Sequence, residues 1–364
     1  MTSIVPGKYG DIGSLDVVEI VFQIAKLPII LVSSLIFSPF VWYNKHKTWR
    51  RVLGDQAFRW AAGLKVPQLQ SLMGTTLTTY RSTVAKLNIP AVEEDIGSNA
   101  RLLWLGPKRT DHVLLYLHGG AFLGPATDAS FYFWRHVQEQ LKARSNIDLG
   151  VAILTYTLIP EAAFPTPLRQ SVAAINYLTS QGVKPENIHL AGDSAGGNLI
   201  FQVLLHALRP IESVVPLKLS KPLRGAYTIS PWVSLTADSE STLKHANSDI
   251  ISPKNLREWG GYVLADVPVN QRGYVEALKA PDDWFKNMDG VVDRILITAG
   301  SQECLRDDIV AFNEKLKKAY EGKLDFVLQR GGVHDDIFLD FLVNETKLGE
   351  LTPMIIEWLA AGYE

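Results

Sequence analysis

The sequence predicts an α/β fold in which helices cover both faces of a mostly parallel β-sheet. From about residue 100 onwards, short apolar runs alternate with amphipathic segments of helix length. Such alternation is typical of parallel strands that are buried on both faces and joined by crossover helices. In addition, the motif G-D-S-A-G at 192–196 joins an apolar run to a helix-length apolar segment. That arrangement predicts a strand, a sharp turn and a helix.

The composition limits the classes of function. The chain has 364 residues, which suits one large α/β domain with additions. The net charge of −2 gives no indication of a nucleic-acid partner. The single cysteine, Cys304, excludes an internal disulfide and a cysteine-rich metal site. Neither a phosphate-binding loop, nor H-E-x-x-H, nor a dinucleotide-binding motif is present.

Residues 1–43 form an unusually apolar N-terminal segment. Four polar residues recur at helical spacing and predict one polar face: Asp16, Glu19, Gln23 and Lys26. Pro28 is expected to interrupt this helix. Leu27–Tyr43 carries no charge, but it is short for a full membrane span. Aromatic residues and a basic cluster follow it, as at a membrane interface. We therefore expect a membrane-associating segment; the alternative is an apolar helix that packs on the chain's own domain.

The remaining elements follow from the periodicity of apolar residues. A helical region is expected over 49–87, and the first strand near residue 100. The predicted strands are 100–105, 113–117, 151–156, 188–191, 226–230, 295–298 and 324–329. The predicted helices that alternate with them include 131–141, 167–178 and 309–319. A stretch rich in Trp and Tyr at 231–293 interrupts the alternation and is interpreted as an insertion.

Ser194 stands at the centre of the G-D-S-A-G motif and is the candidate nucleophile. The sharp turn would hold the serine in a strained conformation that lifts its hydroxyl clear of the sheet. Gly192 and Gly196 would allow strand and helix to pass closely. Because a free serine is a poor nucleophile, a base, an acid and an oxyanion hole are needed as well.

The segment H-G-G-A at 118–121 is the candidate oxyanion hole. It follows the predicted strand 113–117, and its glycines, Gly119 and Gly120, would let backbone N–H groups approach a reacting carbonyl oxygen. Gly120 and Ala121 would supply two donors, and Ala195, directly after the nucleophile, a third. The alternative is a plain glycine turn.

His334 is the candidate base, because it lies in a loop directly after the predicted strand 324–329. The other histidines lie less favourably with respect to strand ends. The acid should fall between Ser194 and His334 in sequence. Three residues that follow strand 295–298 qualify: Glu303, Asp307 and Asp308. Glu303 lies nearer the strand end, whereas either aspartate also suits the N-cap of the next helix.

Together these motifs resemble the hormone-sensitive-lipase branch of the α/β-hydrolases. H-G-G-A is similar to that branch's H-G-G-G, G-D-S-A-G-G at 192–197 matches its elbow, and S-P-W at 230–232 matches its S-P-W. Y-T-L-I-P-E-A-A-F-P at 156–165 looks like its Y-R-L-A-P-E block. The resemblance covers the chain from about residue 100 to its end. The apolar N-terminus makes the chain look like membrane-associated arylacetamide deacetylases and fungal steryl acetyl hydrolases.

Three departures from the family pattern stand out. Ala121 replaces the third glycine of H-G-G-G, and its methyl group could narrow the acyl side without removing the N–H. Glu303-Cys304 stands where the family has Asp-Pro, which keeps Asp307 open as the acid. Thr157 replaces the arginine of the Y-R-L-A-P block.

The resemblance also implies a helical cap over the site, built from residues 44–90 and the insertion 231–293 of an α/β-hydrolase domain that spans 91–364. Aromatic residues of the cap region would line a substrate pocket: Trp232, Trp259, Tyr262, Tyr274 and Trp284. Ordinary packing inside the cap is the alternative role for these side chains.

The expected function is that of a serine carboxylic-ester hydrolase needing no metal or organic cofactor. Small-molecule esters, with a short acyl group on a bulky lipophilic alcohol, are the expected substrates. The alternatives are a biosynthetic enzyme that transfers acyl groups or closes rings, and a non-catalytic receptor like the plant gibberellin receptor.

The family resemblance implies a location at the membrane of the endoplasmic reticulum. The basic cluster favours a cytosolic catalytic domain, whereas the lumenal relatives favour the other side, where the sequon at Asn344 could be glycosylated. The sequence does not indicate an oligomeric state.

Overall fold

The structure, a computed structural model, describes residues 7–363; residues 1–6 of the predicted N-terminal segment and Glu364 lie outside the described part. Its centre is an eight-stranded sheet. The strands are β1 (Val92–Gly97), β2 (Ala100–Trp104), β3 (Val113–Leu117), β4 (Gly150–Thr155), β5 (Ile188–Asp193), β6 (Gly225–Ile229), β7 (Arg294–Gly300) and β8 (Lys323–Gln329). The helices are α1 (Ser14–Phe37), α2 (Trp49–Ala62), α3 (Val66–Met73), α4 (Thr76–Lys86), α5 (Asp128–Ser145), α6 (Thr166–Ser180), α7 (Ala195–Leu208), α8 (Glu240–Lys244), α9 (Pro253–Leu264), α10 (Arg272–Val275), α11 (Arg306–Leu316), α12 (Asp336–Leu342) and α13 (Leu351–Tyr363).

The strand order is β1-β2-β4-β3-β5-β6-β7-β8. Strands β4, β3, β5, β6, β7 and β8 pair in parallel, whereas β1 and β2 pair antiparallel at one end of the sheet. The predicted mostly parallel α/β sheet is therefore confirmed. The expectation that the first strand begins near residue 100 was wrong, because β1 precedes it. β1 carries three consecutive acidic residues at an edge of the sheet, so it lacks the apolar run of a buried strand.

Helices cover both faces of the sheet. Strands β3 and β5 are buried along their whole length, as expected for strands with a helical layer on each side. Helices α6, α7 and α11 contribute buried apolar side chains to the core on one face. Helices α5, α12 and α13 do so on the other. The carboxyl ends of the central parallel strands thus share one rigid edge, on which a site can be built.

The N-terminal segment forms one helix, α1, that runs through Pro28 to Phe37. The expectation that Pro28 interrupts the helix was therefore wrong. Over Ser14–Phe40 the segment is long and apolar enough to cross a membrane, and only 6% of its most apolar window is buried. After it, helices α2, α3 and α4 occupy the region predicted to be helical. The insertion 231–293 holds α8, α9, α10 and several short 3-10 turns.

Candidate active site

Ser194 lies in a sharp turn between β5 and α7. Its φ is +48°, a left-handed backbone conformation. This conformation is energetically unfavourable for any residue that has a side chain. The backbone N–H of Ser194 donates to the carbonyl of Ile229 (2.8 Å), and its own carbonyl accepts from Asn198 and Trp232 (both 3.0 Å). A Cβ atom at Gly196 would lie 1.8 Å from the carbonyl oxygen of Leu117, so only glycine fits there. The close packing predicted for this turn is therefore present.

The segment 118–121 leaves β3 beside this turn. Gly120 (φ +101°) and Ala121 (φ +56°) both have left-handed backbones, and both line the same cavity as Ser194. Within residues 7–363, neither of their N–H groups donates to another protein atom. The N–H of Gly119 differs, because it donates to Asp193 Oδ1 (2.9 Å). The structure therefore leaves Gly120 and Ala121 as free donors, but not Gly119.

Ala195 follows Ser194 as the first residue of α7. The first N–H groups of a helix have no partner within the helix, so the N–H of Ala195 is an available donor at this end.

His118 supports the segment instead of facing a substrate. Its Nδ1 lies 2.7 Å from the carbonyl oxygen of Gly119, which can only accept a hydrogen bond. Nδ1 therefore carries the proton, and Nε2 accepts from the hydroxyl of Thr76 (3.0 Å). The ring stacks on Tyr156 with centroids 4.3 Å apart. Burial lowers the pKa of His118 to about 4, which keeps the ring neutral.

His334 and Glu303 face each other below the cavity floor. His334 Nδ1 lies 3.8 Å from Glu303 Oε1, and neither atom has a hydrogen-bond partner among the described residues. The other carboxylate oxygen, Oε2, accepts from the hydroxyl of Ser230 and the N–H of Gly300, both at 2.7 Å. The carboxylate of Glu303 is thus fixed on one side and open towards the imidazole on the other.

The two aspartates that were considered as alternative acids point elsewhere. Asp307 Oδ2 accepts from the N–H of Ser241 (2.8 Å), and its Oδ1 pairs with Arg306 (2.8 Å). Asp308 Oδ2 accepts from the hydroxyl of Ser239 (3.3 Å). Both carboxylates therefore hold the insertion onto the start of α11.

Two acidic residues near His334 were not anticipated from the sequence. Buried Asp249, in the insertion, accepts from the N–H of His334 through Oδ1 (2.9 Å) and from the N–H of Cys304 through Oδ2 (2.7 Å). It thus ties the loop of the base to the loop of the acid. Asp335 Oδ2 lies 3.3 Å from His334 Nε2. For Asp335, the only signal in the sequence is its position directly after the candidate base, and for Asp249 there is none.

These carboxylates determine the charge of the imidazole. Burial by itself would lower the pKa of His334, but Asp335, Glu303 and Asp249 outweigh it and raise the pKa to about 10. Burial likewise raises the pKa of Asp249 to about 6. The acidic groups around the imidazole therefore favour its protonated form.

Above Ser194 lies a largely apolar cavity of about 650 Å³. Trp232 and Trp259 line it, together with side chains from α2 and α3 such as Phe58 and Leu69. Three aromatic residues predicted for the pocket do not line it. Tyr262 donates its hydroxyl to Glu258 (3.1 Å), and Tyr274 packs on Trp284 outside the cavity.

Comparison with known proteins agrees with this arrangement. A family model described as the alpha/beta hydrolase fold matches residues 114–337. An acetyl-hydrolase of Streptomyces hygroscopicus is 31% identical over 218 residues, which cover 59% of this chain and 66% of that protein. A Schizosaccharomyces pombe protein with the provisional name steryl acetyl hydrolase is 25% identical over 353 residues, which cover 88% of this chain and 90% of that protein.

A solved structure, an esterase from the bacterial hormone-sensitive lipase family, has the same fold. The superposition of the two structures has a TM-score of 0.66 at 24% sequence identity. It covers 87% of this chain and 99% of the esterase chain. The fold and the serine turn thus define an α/β-hydrolase. The chain belongs to the α/β-hydrolase family and is a carboxylic-ester hydrolase.

Proposed function

We propose that this chain hydrolyses short acyl esters of bulky, lipophilic alcohols with a Ser194–His334–Glu303 triad. One observation carries the proposal. The strained Ser194 lies at the floor of a large apolar cavity that His334 also lines, and the unpartnered Glu303 Oε1 faces the unpartnered Nδ1 of that histidine.

In the first half of the reaction, His334 takes the proton of Ser194 as the serine oxygen attacks the ester carbonyl. The developing oxyanion accepts hydrogen bonds from the N–H groups of Gly120, Ala121 and Ala195. The tetrahedral intermediate collapses as the C–O bond breaks, and His334 returns the proton to the leaving alcohol. Glu303 holds the ring with Nε2 towards the serine and stabilises the imidazolium.

In the second half, water replaces the alcohol. His334 removes a proton from the water as the water attacks the acyl carbonyl. The bond between the acyl carbon and the Ser194 oxygen then breaks, and His334 returns the proton to that oxygen, which releases the carboxylic acid and free Ser194. The distance of 3.8 Å between His334 and Glu303 exceeds a hydrogen bond. Such contacts are often long without substrate, and we expect this one to shorten in the substrate complex.

The size of the cavity and the shape of the oxyanion segment support the proposed substrate class. A volume of about 650 Å³ lies within the range for drug-sized ligands, and the lining is mainly apolar. The methyl group of Ala121 stands beside the oxyanion donors, where the acyl group must lie. Two of the relatives are named as acetyl-hydrolases, one of them for steryl esters. A small acyl group and a large alcohol fit this combination.

We further propose that the chain associates with a membrane of the endoplasmic reticulum through its N-terminal segment. Ser14–Phe40 is an apolar helix and turn with little burial. Lipophilic alcohols partition into membranes, so such association would bring the cavity to its substrate.

Covalent labelling tests the proposed chemistry. A fluorophosphonate probe should label the wild-type chain at Ser194, and Ser194→Ala should abolish both labelling and hydrolysis of p-nitrophenyl acetate. Equal labelling of wild type and variant would exclude Ser194 as the nucleophile. Ser171→Ala is a matched control that should still label, because the buried Ser171 hydroxyl donates to the carbonyl of Pro167 (2.9 Å) within α6 and lies outside the cavity.

A further inference from the structure

The position of α1 on the domain carries an inference about how this chain meets a membrane. Helix α1 packs against α2 and α3. One stripe of it is partly or fully buried and includes Asp16, Ile20, Gln23, Leu27 and Leu31. Successive members lie three or four residues apart, so they form a single helical face. The helix therefore rests side-on against the cap.

Polar contacts fix this face at its N-terminal half. Gln68 of α3, which is 1% exposed, donates to Asp16 Oδ1 (3.2 Å) and Glu19 Oε2 (2.9 Å). Trp60 of α2 donates from Nε1 to the carbonyl of Gln23 (3.2 Å). The carboxylates of Asp16 and Glu19 and the backbone carbonyl of Gln23 thus bind to the chain's own domain.

Both ends of α1 are tied to the same domain. Before the helix, the hydroxyl of Tyr9 donates to the carbonyl of Gly74 (2.8 Å). After it, Lys47 pairs with Asp55 of α2 (2.6 Å). The 24 residues of α1 extend over about 36 Å, and a bilayer's apolar core is about 30 Å thick. A spanning helix would have its ends on opposite sides of the bilayer, which these contacts do not allow.

The opposite face of α1 is apolar and uncovered. It presents six large side chains that are 57–69% exposed: Val18, Val21, Phe22, Ile29, Val32 and Ile36. A contiguous apolar surface of this length on a folded domain indicates a binding partner. Protein interfaces carry a polar rim around their apolar centre, whereas this face continues into the exposed aromatic residues Phe40 and Trp42 and then Lys45. Aromatic and basic residues at the end of an apolar helix favour a lipid headgroup region.

We propose that α1 lies in the plane of a lipid bilayer, docked on the cap, with the Val18–Ile36 face in the acyl boundary and the catalytic domain on one side of the membrane. This inference refines the membrane association proposed above. It also places the candidate active site close to the membrane. Helix α2 contacts α1 through Trp60 and lines the cavity through Phe58 and Ala61. The cavity thus lies one helix away from the lipid.

Fluorescence quenching in vesicles tests the orientation. Cys304 is the only cysteine and is buried, so a Cys304→Ala background allows single cysteines to be labelled with the fluorophore NBD. Labels go on the outer face at Val18, Ile29 and Ile36, and on the inner face at Leu27 and Leu31. The full chain is bound to phosphatidylcholine–phosphatidylserine vesicles that contain lipids brominated at known depths.

An in-plane helix places all three outer labels at one shallow depth, about 5–10 Å below the headgroups, and leaves both inner labels unquenched. A spanning helix would place Ile29 near the bilayer centre with Val18 and Ile36 towards opposite surfaces, and would quench inner and outer labels alike; that result would overturn the proposal. As a matched pair, Ile29→Asp should weaken vesicle binding roughly tenfold or more, whereas Val269→Asp, at an exposed apolar side chain elsewhere, should leave it unchanged.

Fluorophosphonate labelling of Ser194 in the same samples separates the two proposals. Absence of vesicle binding by a chain that still labels would overturn the membrane proposal and leave the esterase proposal intact. Vesicle binding with the expected depths in Ser194→Ala would support the orientation independently of catalysis.

Discussion

His334 Nδ1 lies 3.8 Å from Glu303 Oε1, and both atoms are buried without a hydrogen-bond partner among the described residues. Buried polar atoms without a partner cost free energy, and where a native protein keeps them, a catalytic role is one explanation. Ser230 and Gly300 hold the other oxygen of Glu303, so a small rotation of the imidazole can close the gap. This arrangement favours Glu303 as the acid, although the family pattern has aspartate at the aligned position.

The identity of the acid can be tested by paired substitutions. Glu303→Gln should reduce kcat by roughly 10⁴-fold, by analogy with the loss of a triad carboxylate. Asp307→Asn should reduce kcat far less, because its carboxylate binds Ser241 and Arg306. Steady-state kinetics with p-nitrophenyl acetate measure both. A large loss in Asp307→Asn with a small one in Glu303→Gln would make Asp307 the acid.

Asp335 should set the pH dependence of catalysis. Its carboxylate lies 3.3 Å from His334 Nε2 and contributes to raising the pKa of that histidine to about 10. A general base works in its neutral form, so activity should rise as the pH increases through this pKa. Burial also raises the pKa of Asp335 itself, so the two side chains titrate as a pair. Asp335→Asn removes the acidic partner that favours the imidazolium, and should move the acidic limb of kcat/KM to lower pH by about 1–3 units.

The pH profile of kcat/KM, recorded with the exposed Asp266→Asn as a control for net charge, measures this shift. Asp266 lies outside the cavity, and a screened surface charge should leave the limb in place. An acidic limb that does not move in Asp335→Asn would show that Asp335 does not govern the protonation of the base.

Arg51 of α2 should be a major determinant of stability. It is buried and pairs with Asp336 (2.7 Å), Asp340 (2.6 Å) and Asp55 (3.4 Å), which joins the cap to the helix that follows His334. Removing the cation leaves buried carboxylates uncompensated, so Arg51→Ala should lower the free energy of unfolding by about 3–5 kcal/mol.

Urea unfolding in detergent, compared with Arg50→Ala, measures this loss. Arg50 is half-exposed, donates to the carbonyl of Asn344 and lies over the exposed ring of Trp49 (5.6 Å), so its removal should cost about 1 kcal/mol or less. The difference between the variants should shrink at low pH, because burial raises the pKa of Asp340 and this carboxyl then becomes protonated as the pH falls. Equal stability of the two variants at pH 7 would contradict the proposed role of Arg51.

The central strands could be predicted from the sequence, because a strand buried on both faces consists of an uninterrupted run of apolar residues. Strand β1 was missed, since its charged residues suit an exposed edge. A break was also expected at Pro28, where contacts with the cap hold α1 together as one helix. At Pro28, the surrounding structure overrode the propensity of a single residue.

In the candidate site too, some residues could be predicted from the sequence and others could not. The loops that follow β3, β5, β7 and β8 could be predicted, because motif and strand end coincide in sequence. Asp249 could not, since it lies 85 residues before His334 and reaches the base only through the fold of the insertion. The pairing of Gly119 with Asp193 was hidden for the same reason, and so was the position of Tyr262 outside the cavity.

Ala121 should limit the length of the acyl group. Its methyl lies beside the oxyanion donors, and its φ of +56° is a conformation in which glycine is less strained. Ala121→Gly should therefore fold at least as stably and open space on the acyl side. One methylene in an apolar pocket changes selectivity by about 1–3 kcal/mol, so the preference for short acyl groups should be graded.

Values of kcat/KM for p-nitrophenyl esters from C2 to C12 should peak at C2 to C4 in the wild type. In Ala121→Gly, the longer acyl chains should gain relatively more. A wild-type maximum at C10 or above would contradict the short-acyl assignment and indicate a long-chain lipase, because the methyl of Ala121 would then exclude nothing.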